Sequence, residues 1–182
     1  MNKCIQIIIV FLETAEQLKA LGVEEKKINS ILKQNIDNAW QSFKNINSIP
    51  KTIYWSKSAL LKKERLENQG KRTDKSGRHF VREHVVPKAI HLKQLRSIYE
   101  KRKSTDNLSS TELINEIREY MELNYIICAI TASENKRFKK GHRENKINKS
   151  LEHQMPDNWD PKDGPWVRYD AVGIEWDDLT NT

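Results

Sequence analysis

The sequence predicts a mostly helical α+β fold. Apolar residues recur at three- and four-residue steps over most of the chain, which is the period of an amphipathic helix. Two short segments, residues 79–87 and 125–130, are instead rich in β-branched residues and predict strands. Apolar residues make up 37% of the 182 residues and charged residues 31%, so we expect a modest core and a highly charged surface.

Residues 1–50 are predicted to form an N-terminal helical section. Residues 5–21 are compatible with a strand or a helix, and their apolar spacing favours a helix that ends at Gly22. Residues 24–46 carry a longer amphipathic pattern, which predicts a second helix. Pro50 ends this section, because a proline cannot continue a helix.

Residues 51–149 are predicted to form the core that contains the strands. A short Tyr54-Trp55 segment leads into a helix over 57–69, which ends at Gly70. Residues 71–78 are basic and predict a loop. The strand of 79–87 follows and ends at its proline.

A helical insertion, residues 88–123, is predicted between the two strands. It contains a helix over 88–102, a loop over 104–109 and a second helix opened by a capping box of Ser109 and Glu112.

The strand of 125–130 leads directly into another predicted helix. Thr131 and Glu134 form a capping box at its start, and Gly141 ends it after about Lys140. The order of elements here is therefore strand, insertion, strand, helix.

Residues 150–182 are predicted to be an acidic tail, rich in Trp and Pro, that packs on the core. One short strand is expected near 166–174. Arg168 is expected either to contact a phosphate or to pair with an aspartate, and the second is favoured.

Charge is distributed in blocks along the chain. Residues 57–103 carry a net charge of +10 and residues 136–149 carry +6, whereas 104–135 carry −5 and 150–182 carry −6. The whole chain carries +7. Basic blocks of this size are typical of a partner that is a polyanion, usually a nucleic acid. They are equally compatible with lysine-rich helix faces that are only solvated.

Several classes of protein are excluded by composition. The two cysteines, Cys4 and Cys128, are too few for a disulfide scaffold or for a Cys4 or Cys2His2 zinc module. The apolar run at residues 5–12 is far shorter than the roughly 20 residues that span a bilayer. We therefore expect a cytoplasmic protein with no membrane partner.

Two segments carry residue types suited to phosphodiester chemistry. The first strand contains Glu83-His84-Val85-Val86-Pro87, in which a carboxylate and an imidazole precede a turn proline. The second strand enters its helix through ITASEN, residues 130–135, which ends at Asn135. Together they resemble the motif of the HNH, or ββα-metal, nucleases, in which an acidic residue and a histidine close one strand and an asparagine follows the next.

The resemblance implies a ββα-metal-like core and a role for each matching residue. Glu83 and Asn135 would hold Mg2+ or Mn2+, and His84 would be the general base that activates water. Double-stranded DNA is the expected substrate, RNA is the alternative, and phage defence is a setting typical of the family. Basic residues near the motif would contact the nucleic acid: Arg78, Arg82, Lys136, Arg137, Lys139, Lys140, His142 and Arg143.

The chain departs from the family pattern in two ways. Some members have a further histidine where this chain has Lys139, so a three-ligand site is not expected, and His142 is a weak substitute. Glu83 and Asn135 are also 52 positions apart, which the helical insertion accounts for, since doubling a loop costs only about 0.6 kcal/mol.

Other interpretations remain open at this level. Glu83 and His84 are also compatible with a surface pair on an edge strand, and Asn135 with an ordinary first-turn helix residue. If these residues have only such structural roles, the chain would be a non-catalytic nucleic-acid-binding protein, or a protein-interaction module such as an inhibitor. A nuclease requires the Glu83 carboxylate and the Asn135 amide within roughly 6 Å, because one Mg2+ holds its ligands at about 2.1 Å. His84 should face the same cleft, and a position of Asn135 on the face opposite His84 would indicate a binding protein instead.

Overall fold

The computed structural model of this chain describes residues 2–52, 54–73, 79–104, 110–140 and 150–178. In chain order its helices are α1 (Asn2–Ala20), α2 (Glu25–Lys44), α3 (Lys57–Asn68), α4 (Lys88–Lys103), α5 (Ser110–Asn124), α6 (Ala132–Lys140) and α7 (Val167–Ala171). Its strands are β1 (Tyr54–Ser56), β2 (Phe80–His84), β3 (Ile127–Thr131) and β4 (Trp176–Asp178). The predicted class, mostly helical α+β, is confirmed.

The contacts divide the chain into two compact units. One comprises residues 1–45 and 88–122, and the other comprises residues 46–87 and 123–182. The segment expected as an insertion therefore groups with the N-terminal helices, whereas the acidic tail groups with the sheet. No helix in the described part of the chain is long and apolar enough to cross a membrane.

The first unit is helical and contains α1, α2, α4 and α5. Each helix buries an apolar stripe at helical spacing, as Ile5, Ile8 and Leu12 do in α1. The unit also buries polar groups that find partners inside it. The Asp37 carboxylate accepts from Gln41 and Lys88, in agreement with the rule that buried charges are paired.

The second unit is built on a four-stranded sheet with the order β2-β3-β1-β4. β1 lies parallel to β3, while β2–β3 and β1–β4 are antiparallel. All five residues of β3 are buried, because it is an inner strand with neighbours on both sides. The strand β2, which carries Glu83 and His84, is an edge strand.

Two separate apolar clusters cover the two faces of this sheet. Ala129 of β3 packs with Ala59 and Leu66 of α3. Cys128 and Ile130 of β3 pack instead with side chains of α6, α7 and the tail, among them Phe138, Leu151, Tyr169 and Val172. Since neighbouring residues of a strand point to opposite faces, α3 covers one face, and α6 and α7 cover the other.

Most of the predicted elements form within a few residues of the expected bounds. The expected strand near 166–174 is wrong, because α7 occupies this segment and the last strand, β4, follows it. Tyr169 and Val172 are both fully buried and lie three positions apart, which is a helical spacing. The expected capping residue Ser109 and the expected helix end Gly141 lie outside the described residues.

Candidate functional site

The two predicted motif segments lie side by side. Each of the five residues of β2 pairs with a residue of β3, from Phe80 with Thr131 to His84 with Ile127. α6 begins directly after β3 and packs against both strands. The strand, strand, helix order expected from the resemblance is therefore formed by segments that are distant in sequence.

The alternation of the strand separates the side chains of Glu83 and His84. Glu83 pairs with Cys128, whose side chain is on the face covered by α6 and α7, so Glu83 points to that face. His84 is the next residue and points to the face of α3. This differs from the expectation that these side chains share one cleft, because β2 pairs regularly up to its last residue. His84 therefore points to the face opposite the one covered by α6, the helix that carries Asn135.

Arg168 of α7 is the partner of the Glu83 carboxylate. The Nη2 atom of Arg168 donates to Oε1 of Glu83 at 2.7 Å. Arg168 is fully buried, and 22% of the Glu83 side chain is exposed. The sequence analysis favoured an aspartate as the partner of this arginine, and the structure shows a glutamate from a strand 85 residues away instead.

The same guanidinium holds the backbone at the end of β2. Nη1 donates to the carbonyl oxygens of His84 at 2.7 Å and Val85 at 3.3 Å. Nε donates to the carbonyl of Leu151 at 2.7 Å, and Nη2 also reaches that of Glu152 at 3.4 Å. One side chain therefore joins β2, α7 and the segment at 151–152.

Buried groups surround this ion pair. The Arg168 guanidinium carbon lies 4.0 Å from the centre of the Phe138 ring of α6, a cation–π contact. Burial raises the pKa of the Cys128 thiol and of the Tyr169 phenol, and the negative charge of Glu83 raises both further. Both groups therefore stay protonated at neutral pH.

The His84 ring lies beside an aromatic side chain. Its centre is 5.4 Å from that of Tyr125, and the two rings are nearly perpendicular, at 88°. His84 is half-buried. Edge-to-face contacts of this kind are a favoured arrangement of aromatic rings.

Asn135 lies on the first turn of α6. Glu134 and Phe138, one turn apart, are buried against the sheet, and Asn135 is half-buried beside this stripe. α6 covers the face to which Glu83 points, so both expected metal ligands belong to the same side of the sheet. The expected 6 Å separation of their oxygen atoms stays a prediction.

Several residues that were expected to contact nucleic acid form bonds within the protein instead. Arg82 donates to the carbonyl of Ile46, and Arg137 donates to that of Gly173 at 2.7 Å. Lys139 pairs with Glu152 at 3.1 Å on the surface. Lys136 is exposed on α6, whereas Arg78, His142, Arg143 and the side chain of Lys140 lie outside the described part of the structure.

A metal ion would have to rely on few protein ligands. Among the described residues, no group of three or more His, Cys, Asp and Glu side chains is placed to hold one. The implied donors, the Glu83 carboxylate and the Asn135 amide, are both oxygen ligands. They fit Mg2+ or Mn2+, since Mg2+ keeps several waters and needs only one or two carboxylates beside the substrate phosphate.

No family model, curated protein or solved structure matches this chain. The likeness to the HNH nucleases therefore depends on the two motif segments of the sequence.

Sequence reasoning did not find two of the residues that shape this site. The first is Tyr125, which was expected only as the start of a buried strand. The second is Ser56 of β1, whose hydroxyl donates to the buried Glu134 at 2.7 Å. The sequence does indicate that Arg168 is buried, because its neighbours Trp166, Val167 and Tyr169 are largely apolar.

Proposed function

We propose that this chain is a metal-dependent endonuclease of the HNH type that hydrolyses phosphodiester bonds in DNA. The observation that carries the proposal is the antiparallel pair of β2 and β3 that leads into α6. The motif predicts that these two segments pair, although two helices separate them in sequence. If the similarity to the motif were due to chance, the two segments would not be expected to pair with each other.

In this proposal His84 accepts a proton from the attacking water, because a neutral imidazole can act as a base near pH 7. Glu83 and Asn135 would hold a divalent cation, which when bound neutralises charge on the phosphate and on the leaving oxygen. His84 and Glu83 flank the end of an edge strand from its two faces. The scissile phosphate would accordingly lie across the end of β2.

A second candidate is a non-catalytic nucleic-acid-binding protein. It is favoured by the Glu83–Arg168 ion pair, which gives the carboxylate a structural partner, and by the opposite directions of Glu83 and His84. The basic blocks of the sequence would serve either function, because contacts to phosphates supply affinity without chemistry.

The test is nicking of supercoiled plasmid with Mg2+ or Mn2+, beside DNA binding measured in EDTA. His84→Ala should lower the cleavage rate by about 10²–10⁴, the typical contribution of a general base, and leave binding almost unchanged. Asn135→Asp should be milder than Asn135→Ala, since aspartate keeps an oxygen ligand. The matched control is His153→Ala, because His153 is exposed in the same unit.

The outcomes separate the candidates. Cleavage that is lost in His84→Ala and kept in His153→Ala supports the nuclease. A wild-type protein that binds DNA in EDTA and never nicks it with either metal supports the non-catalytic binder. If His84→Ala cuts at the wild-type rate, His84 is not the base.

A further inference from the structure

We propose that Arg168 is a positioning residue for Glu83 and His84. This inference rests on the proposed function, since it assigns to an arginine of the C-terminal segment the task of orienting the candidate catalytic pair. It acts through the Glu83 carboxylate and the carbonyl of His84, and it touches no substrate.

Burial and hydrogen bonding exclude a direct role for Arg168 in binding DNA. Its side chain has no exposed surface. A guanidinium has five N–H donors in a rigid fork, and Arg168 makes five hydrogen bonds, four to carbonyl oxygens and one to a carboxylate. No donor is left for a phosphate.

The bonds made by Arg168 meet at the residues that carry the proposed chemistry. Two of them hold the carbonyls of His84 and Val85, where the chain leaves β2 and turns toward Pro87. A third fixes one oxygen of Glu83. Arg168 therefore limits both the direction of the carboxylate and the path of the backbone that bears the imidazole.

The hydrogen bond from Arg168 to Glu83 has a second consequence. A carboxylate that ligates a metal is usually hydrogen-bonded by a neighbouring group, and loss of that neighbour typically lowers metal affinity or activity by about 10–100-fold. Arg168 is such a neighbour of Glu83. A lysine keeps the charge but presents three donors at one point, so it cannot reproduce the fork.

The variant that tests the proposal is Arg168→Lys, with Arg118→Lys as the matched control. Arg118 belongs to the other unit, on α5. At a temperature at which circular dichroism shows each variant to be fully folded, Arg168→Lys should lower kcat for plasmid nicking about 10–100-fold and leave KM for DNA nearly unchanged. The affinity for Mn2+ in the absence of DNA, measured from the free-ion EPR signal, should fall by a similar factor.

A second measurement uses the wild-type protein and applies even where Arg168→Lys fails to fold. The Nε–H signal of Arg168 should be observable by NMR, because this group is buried and hydrogen-bonded to Leu151. Addition of Mg2+ should shift this signal, since Glu83 would contact both the ion and the guanidinium. A signal that does not move at Mg2+ concentrations that support nicking would overturn the proposal.

Failure of this inference differs from failure of the proposed function. If the wild type nicks DNA and folded Arg168→Lys has the same kcat and Mn2+ affinity, Arg168 is structural only and the positioning role is overturned. An equal change in Arg118→Lys overturns it too. If the wild type neither nicks DNA nor binds Mn2+, the proposed nuclease itself is overturned, and the positioning role with it.

Discussion

At the scale of single residues, Glu134 connects four elements of the sheet-containing unit. Its Oε2 atom accepts from the Ser56 hydroxyl at 2.7 Å and from the backbone N–H and the hydroxyl of Thr131, both at 2.8 Å. Ser56 also caps α3 by accepting from the N–H of Ala59 at 3.1 Å. The buried carboxylate therefore ties the starts of α3 and α6 to the ends of β1 and β3.

We predict that Glu134→Ala lowers the free energy of unfolding by about 3 kcal/mol, because it leaves the buried N–H of Thr131 and the hydroxyl of Ser56 without their acceptor. Urea denaturation followed by circular dichroism measures the change. Glu64→Ala is the control, since Glu64 is exposed on α3 and its loss should change stability by no more than about 0.5 kcal/mol. Equal effects of the two substitutions would contradict the role of Glu134.

Residue-level prediction from the sequence succeeded where the pattern was local. The capping box of Thr131 and Glu134 is formed as expected, with the Glu134 N–H donating back to the Thr131 hydroxyl at 3.2 Å. The partner of Arg168 could not be predicted in the same way. Arginine is rarely buried, and its pairing with Glu83 depends on a tertiary contact across 85 positions.

At the scale of secondary structure, the strands differ in what surrounds them. β3 has a neighbour on each side and a covered face above and below, whereas β4 is a three-residue edge strand. The buried character of β3 was visible in the sequence, because a continuous apolar run predicts an inner strand. The assignment of a strand near 166–174 failed since short apolar segments fit a helix or a strand equally well.

We predict that the amides of β3 exchange with solvent at least about tenfold more slowly than those of β4, because inner strands open only when much of the unit unfolds. Hydrogen exchange followed by NMR measures both strands in one sample. The edge strand β2 should be intermediate, since its first residue is fully buried and the other four are half-buried. Exchange of β4 as slow as that of β3 would contradict this order.

At the scale of the whole molecule, charge organisation follows directly from the sequence, whereas the grouping of segments does not. The net charge of each block is obtained by counting its basic and acidic residues. The association of 88–122 with the N-terminal helices depends instead on tertiary contacts between helices, as in the ion pairs of Lys88 with Asp37 and of Arg96 with Glu25 between α4 and α2. The sequence predicts a helical insertion between the two strands, and residues 88–122 of this segment group with the N-terminal helices.

The basic blocks should make DNA binding depend steeply on salt, because each lysine or arginine bound to a phosphate releases a counterion from DNA. We predict that Lys136→Ala with Lys140→Ala reduces the slope of log Kd against log salt concentration by about two, since each phosphate contact contributes about 0.9. Fluorescence anisotropy with a labelled duplex in EDTA measures the slope apart from any cleavage. The matched control is Lys19→Ala with Lys162→Ala, which also removes two lysines. Lys19 and Lys162 are exposed and lie outside both basic blocks, so the slope of this control should equal that of the wild type. An equal reduction in both double variants would show that net charge alone controls binding, and binding insensitive to salt would contradict the nuclease and the non-catalytic binder together.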